Sequence, residues 1–489
     1  MEKYHSDQEY EEIITDQLGD MQLRENLRSA MDTLRANRKN LIKNRYSEWE
    51  NLRELGKEVK LKILSRLDEY LELFEKNATQ NGFKIHYAKD GDEANEIIYN
   101  LAKEKNIKRI LKQKSMASEE IGLNHYLKEK GIQAQETDLG ELIIQLINEH
   151  PVHIVVPAIH KNRKQIGKIF EEKLNAAYEE EPEKLNAIAR KHMRKEFESF
   201  KMGISGVNFA IANEGAIWLV ENEGNGRMST TACDVHVAIC GIEKLVESFD
   251  DAAILNNLLA PSAVGVPITC YQNIITGPRK EGDLDGPKEA HIILLDNNRS
   301  NILADEKYYR ALSCIRCGTC LNHCPVYDKI GGHAYLSTYP GPIGVVVSPQ
   351  LFGLNNYGHI PNLCSLCGRC TEVCPVEIPL AELIRDLRSD KVGEGRGVVK
   401  GAKNTQHSGM EKFSMKMFAK MASDGAKWRF QLKMAQFFSP LGKLLAPILP
   451  LVKEWASVRT LPNMDTSLHA KVQHLEGVIY EQRAYFKAH

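Results

Sequence analysis

No apolar run in this 489-residue chain is long enough to cross a bilayer. The stretch poorest in charge, 330–368, has no Asp, Glu, Lys or Arg, but Gly, Pro, Asn and Ser recur through it too densely for a lipid-facing helix. A secretory leader is missing as well. Met1-Glu2-Lys3-Tyr4-His5-Ser6-Asp7 is charged and has no apolar centre, so the expected location is the cytoplasm. Neither a dinucleotide-binding Gly-x-Gly-x-x-Gly nor a Walker loop occurs, so a tightly bound nicotinamide or flavin is not expected. Net charge is also scarce: the formal value of -1 offers no global attraction for nucleic acid. The balance is uneven, however. Residues 391–489 hold 16 Lys+Arg against 7 Asp+Glu. That basic tail, with Trp428, Phe430, Phe437 and Phe438 on it, fits two roles: docking on an acidic partner, or a peripheral contact with the inner face of a membrane.

Four regions follow from the patterning. Residues 1–80 read as helix, with Leu27, Ala30, Met31, Leu34 and later Leu61, Ile63, Leu64, Leu67, Leu71 at helical spacing. Residues 81–300 alternate strand and helix. The runs His153–Val156, Ile217–Val220 and Ala290–Leu295 read as strands; Ser118–Lys130 and Leu139–Asn148 read as helices. This alternation predicts an α/β domain with a largely parallel sheet. Residues 301–390 form a cysteine-rich domain, and 391–489 an amphipathic helical tail broken at Pro440, Pro447 and Pro450.

Cysteine is the residue this chain has in an informative pattern. In a reducing compartment clustered thiols point to metal or redox chemistry. Eight of the 11 fall in two matching runs, Cys314-x2-Cys317-x2-Cys320-x3-Cys324-Pro325 and Cys364-x2-Cys367-x2-Cys370-x3-Cys374-Pro375. This is the spacing of bacterial ferredoxins. Three cysteines two residues apart wrap a loop round one cubane; the fourth, just before proline, points away toward the other. Two 4Fe-4S clusters are therefore expected, one on Cys314, Cys317, Cys320 and Cys374, the other on Cys364, Cys367, Cys370 and Cys324. Zinc competes for Cys-x2-Cys pairs, but a zinc site takes four ligands in all, not two sets of four ending in Cys-Pro. The connection 325–363 is long for a minimal ferredoxin and resembles the α-helical ferredoxin domains of succinate dehydrogenase and heterodisulfide reductase subunits. Helices are expected around the clusters, and the uncharged Gly/Pro-rich run should turn N–H groups toward sulfur and keep water out. Cys233, Cys240 and Cys270 read as buried and inert.

Upstream, Lys114-Ser115-Met116-Ala117-Ser118-Glu119-Glu120-Ile121-Gly122-Leu123-Asn124 is followed by Glu136-Thr137-Asp138-Leu139-Gly140-Glu141. Then come Gly203-Ile204-Ser205-Gly206-Val207-Asn208, Asn213-Glu214-Gly215 and Asn222-Glu223-Gly224-Asn225. Together these resemble the domain of bacterial lactate utilization proteins. Joined to a double-cluster domain and a basic tail, the organisation resembles the family of iron–sulfur B subunits of the L-lactate utilization complex. The resemblance implies a sheet domain akin to the ribose-phosphate isomerase and CoA-transferase group. It implies an electron-transfer role in oxidising L-lactate to pyruvate. It also implies two partners: a cysteine-rich subunit of heterodisulfide-reductase type and a second protein with the lactate-utilization domain. Another 2-hydroxy acid such as glycolate, or a redox-sensing module binding a metabolite, would give the same sequence features. One departure is the lack of an expected proline after Asn225, where Thr230-Thr231-Ala232-Cys233 stand.

Ligands of open parallel sheets gather at the carboxyl ends of the strands. The candidate pocket residues are therefore Lys114, Ser115, Glu119, Asn124, Glu136, Asp138, Asn208, Asn213, Glu214 and Asn225, with Lys114 a partner for a carboxylate and Glu214 a base. The plainer alternative is local: Glu119 and Glu120 begin a helix after Ser118, Asp138 caps the next, and Gly-Asn pairs make turns. No complete proton-abstraction and hydride site is visible, so the oxidation chemistry itself is expected on a partner.

Overall fold

The computed structural model describes residues 7–391 and 409–445. The chain splits into two compact units, one within residues 1–405 and one within 406–489.

The first unit begins with four helices, Asp7–Gly19, Met21–Arg45, Trp49–Ser65 and Leu67–Gln80. Asp20 starts the second by accepting the Leu23 N–H at 2.9 Å. Leu23, Leu27 and Met31, four residues apart, then bury one stripe of that helix.

Ten strands follow: β1 Phe83–Ala88, β2 Arg109–Lys112, β3 Gln133–Glu136, β4 Met202–Gly206, β5 Phe209–Ile211, β6 Ala216–Glu221, β7 Val235–Gly241, β8 Leu245–Val246, β9 Tyr271–Ile275 and β10 Glu289–Leu295. Six of them form a sheet in the order β1-β10-β7-β4-β2-β3, and every pairing is parallel. Parallel sheets are covered on both faces, and β10 shows how. Its Ala290, Ile292 and Leu294 enter one apolar cluster with Phe74 and Leu245, while Ile293 and Leu295 enter another with Ile98 and Leu127. The remaining strands make a smaller sheet, β8-β5-β6-β9, around the β5–β6 hairpin. The α/β reading is correct.

Two local expectations change. Ser118–Lys130 is two helices, Met116–Glu120 and Leu123–Glu129, separated where Gly122 adopts φ 63°. His153–Val156 is not a strand. The His153 ring nitrogen Nδ1 accepts the N–H groups of both Val155 and Val156 at 3.1 Å, so those amides cannot join a ladder and the chain bends. The apolar run is buried by packing, with Ile154 in the largest core cluster.

After β10 the first unit is built from short α- and 3-10 helices, with no strand among its described residues up to 391. Its longest buried element, Gly341–Phe352, lies in the uncharged run between the cysteine motifs. The amino-terminal helices pack on this region. Leu27, Met31 and Trp49 share one core with Cys317, Cys320, Cys370 and Cys374.

In the second unit, helices Gly409–Ala422 and Gly425–Leu445 meet through Phe418 and Trp428, whose rings are 5.8 Å apart. The second helix continues past Pro440, where a break was expected. Pro447, Pro450 and most of the basic tail lie outside the described residues. Among the described residues, no helix is long and apolar enough to cross a membrane.

Candidate metal centres and an adjoining cavity

The two cysteine motifs fold into the same loop. Two residues after the first cysteine of each, the backbone is left-handed, at Arg316 (φ 61°) and Leu366 (φ 54°); four residues after, it is left-handed again, at Gly318 (φ 74°) and Gly368 (φ 79°). This curvature turns amide N–H groups inward. The Arg316 N–H faces Cys314 Sγ at 3.4 Å, and the Leu366 N–H faces Cys364 Sγ at 3.3 Å. Cys374 Sγ accepts from Ile378 N–H at 3.3 Å, and the Ile343 N–H of the buried uncharged helix is directed at Cys320.

Grouping of the thiols crosses the sequence. Cys314, Cys317, Cys320 and Cys374 line one small cavity, closed by Ile343, Ile378 and Leu380. Cys324 lies instead among the second set, near enough to Cys364 and Cys367 for their charge to raise its pKa, and Cys370 feels Cys364, Cys324 and Cys367. Cys320 also feels Cys370, so the two groups adjoin. Burial, helped by neighbouring thiols, pushes Cys370 up to about 12 and Cys374 up to about 11. A metal bound there would take the place of the thiol proton. No three of the described thiols converge as closely as a zinc site requires. A zinc thiolate site with bonds of ~2.3 Å needs its sulfurs within about 4 Å of each other. Among the described residues, the only groups of three potential ligands converging within 4.8 Å are Glu149, His160, His333 and Glu119, Glu136, Glu141, and neither includes cysteine.

Beside the first loop lies a buried ionic network. Arg299, 1% exposed, holds Glu120 through two bonds of 2.8 Å and Glu243 through one of 2.5 Å. Tyr339 donates to Glu120 at 2.5 Å, Asn297 donates to it at 2.7 Å, and Lys60 donates to the Glu243 carbonyl at 2.6 Å. Arg316 reaches Glu243 at 3.5 Å and stacks over the Tyr339 ring at 4.7 Å. Burial would raise the Glu243 carboxyl, but Arg299 and Arg316 outweigh it and hold it at about 2.

This network borders a cavity of about 330 Å³ at the carboxyl ends of β2, β4 and β7. Of the candidate pocket residues it collects Lys114, Ser115, Asp138, Asn208 and Asn225. Lys114 donates to the Val155 carbonyl; Ser115 and Asp138 also cap helices, accepting from Ser118 N–H at 3.3 Å and Glu141 N–H at 3.0 Å. Glu119, Asn124 and Glu136 gather elsewhere. Glu119 and Glu136 both pair with the fully buried Lys112, at 2.9 and 2.8 Å, and Asn124 donates to Glu136 at 2.6 Å. Burial and the neighbouring carboxylate of Glu119 raise Glu136 to about 7 despite Lys112. Asn213 and Glu214 sit at the β5–β6 turn, where their carbonyls accept from Asn77 at 3.0 Å and Asn81 at 2.8 Å; neither lines the cavity. The lining also includes Arg316, Lys244, Glu243, Glu223 and Tyr339, none of which was among the candidate pocket residues. Arg316 carried one available signal, its place inside a ligand motif. Cys233 and Cys240 are buried, with thiols raised to about 12, whereas Cys270 is exposed, contrary to expectation. Of the stretch where a proline was expected, Thr230 and Thr231 end the helix Asn225–Thr231, and Ala232 and Cys233 lie beyond it.

Comparison with known proteins agrees with this anatomy. Residues 71–295 match the LUD domain, 310–378 the 4Fe-4S dicluster domain, and 386–478 the family described as lactate utilisation protein B, C-terminal. The lactate utilization protein B of Bacillus cytotoxicus is 40% identical over 462 residues, covering 94% of this chain and 95% of its own. That of Bacillus licheniformis is 41% identical over 462 residues, covering 93% and 94%. An uncharacterized electron transport protein of Escherichia coli, YkgF, is 40% identical over 465 residues, covering 94% and 95%. A solved DUF162 family protein from Deinococcus radiodurans, 13% identical, overlaps 47% of this chain and 98% of its own at a TM-score of 0.26, too slight a likeness to use.

Proposed function

We propose that this chain, which belongs to the lactate utilization protein B family, is the electron carrier of an assembly that oxidises L-lactate to pyruvate. Cys314, Cys317, Cys320 and Cys374 would hold one 4Fe-4S cluster, and Cys364, Cys367, Cys370 and Cys324 the other. Bound there, each cluster supplies a one-electron couple, and two suit a two-electron oxidation. The observation that carries this reading is the crossed grouping, in which Cys374 joins the cavity of the first motif. The chain's own residues then turn amides toward sulfur and exclude water from the first set, both of which tune reduction potential. Its partners in this reading are a cysteine-rich subunit of heterodisulfide-reductase type and a second protein with the lactate-utilization domain. The basic tail would dock on one of them.

Iron and acid-labile sulfide measured on protein purified without oxygen test the reading. About eight of each per chain are expected from two 4Fe-4S clusters. L-lactate added with the partner subunits should then bleach the cluster absorbance. Zinc without sulfide would overturn the proposal.

A further inference from the structure

Relaying charge does not call for the cavity between the sheet and the first cysteine loop. Its lining includes Glu243, Lys244, Arg299 and Arg316 of the ionic network, and both Glu243 and the Cys314 thiol face Lys244 and Arg316. No carboxylate lies within ion-pairing distance of Lys244 among the described residues, and the buried Nη1 of Arg316 has no hydrogen-bond partner. An unpaired buried cation is costly, so such a lining favours an anion. The remaining wall suits a small oxygenated molecule. Asn208 spends its oxygen on Val220 N–H at 2.9 Å, which leaves its NH2 group for a ligand, and Ile154, Val155 and Leu259 supply an apolar side. A separate acidic group, Asp138 and Glu223, also lines the cavity; burial and the Asp138 charge raise Glu223 to about 7.

We infer that this cavity binds a small 2-hydroxy or 2-oxo carboxylate, its carboxylate held by Arg316 and Lys244 against the loop of the first thiol set. The substrate class would then meet this chain itself, beside the first cluster, in a pocket that holds five of the ten candidate residues, although the oxidation chemistry was expected on a partner. The inference rests on the electron-carrier reading for its choice of acid and for one of its two readouts.

The test uses the full-length protein with clusters reconstituted without oxygen. Calorimetric titration with L-lactate and with pyruvate should show saturable binding of at least one acid at one site per chain. Lys244→Gln should weaken it roughly tenfold or more, the loss expected for one charged partner. Lys288→Gln removes the same charge at an exposed pair with Asp234 and should leave binding unchanged. Arg316 stands between two cysteines, so its substitution also reports on cluster assembly; Lys114→Gln serves as the second variant. Adding the bound acid should alter the paramagnetic resonance spectrum of one reduced cluster and leave the other as it was. Protein with its full iron that binds neither acid, or binding that Lys244→Gln and Lys114→Gln both leave untouched, overturns the site and spares the electron-carrier reading. Iron-free protein that still binds an acid, with the binding weakened by Lys244→Gln, upholds the site whatever becomes of the clusters.

Discussion

The two cysteine loops share a backbone and differ in almost everything around it. In the first, Ile315, Cys317, Gly318, Thr319 and Cys320 are buried, and Arg316 ties the loop to the sheet through Glu243. In the second, Ser365, Leu366, Cys367 and Arg369 are exposed; its main tether is Arg388, which donates to the carbonyls of Pro361 and Cys364. One copy of the repeat faces an interior cavity, the other faces solvent. A duplicated motif has thus become directional, with one end beside a pocket and the other open to a partner.

The sharpest way to break that contrast is to remove one thiol from each loop. Cys320→Ser and Cys367→Ser should each lower iron from about eight to about four per chain. Only Cys320→Ser should also depress the thermal midpoint strongly, because its loop is part of the main core. Equal losses of Tm would erase the distinction. Next in size, Arg299→Met takes from Glu120 its cationic partner and leaves Glu243 only the longer pair with Arg316, and should cost about 3–5 kcal/mol in denaturant unfolding. Arg388→Met removes hydrogen bonds at a part-buried site and should cost about 1–2 kcal/mol.

Acid sharpens the comparison further. Glu243 is held at about 2 against an ordinary value of 4.5, so its contribution is fully present above 4.5 and is lost as pH falls toward 2. The stability gap between the parent and Glu243→Gln should therefore narrow across that window; a gap constant from pH 5 to 2 would contradict the assignment. The smallest effect belongs to the exposed loop. Arg369→Ala loses a 2.6 Å surface pair with Glu372 and should stay within about 0.5 kcal/mol of the parent.

Legibility in the sequence follows the range of the forces involved. Cysteine spacing is local, and the paired loops were readable from it. The runs around Ile217 and Ile292 were readable as strands because β-branched residues there pair with neighbours along a ladder. His153–Val156 has the same composition and bends, because one imidazole takes the amides a strand would use. The pocket was half visible for a similar reason. Lys114 and Asp138 follow strand ends, where loops converge. Arg316 comes from a metal motif and Lys244 from the 3-10 turn after β7, and only the folded chain sets them side by side. Glu136 looked like a pocket residue and is instead spent on Lys112, a partner no periodicity announces.

The helix Trp49–Ser65 grips the far end of the second motif. Arg53 donates to the Cys374 carbonyl at 2.9 Å and to that of Glu372 at 3.0 Å, and Arg38 reaches the Val373 carbonyl at 3.2 Å. During synthesis, Arg53 leaves the ribosome 321 residues ahead of Cys374. At roughly 5–20 residues per second, that is an interval of about 16–64 s. Throughout it these arginines lack the carbonyls they hold, and the cavity of the first motif lacks its fourth thiol. The four thiols of the first set are therefore all present only once nearly the whole cysteine-rich region has been made.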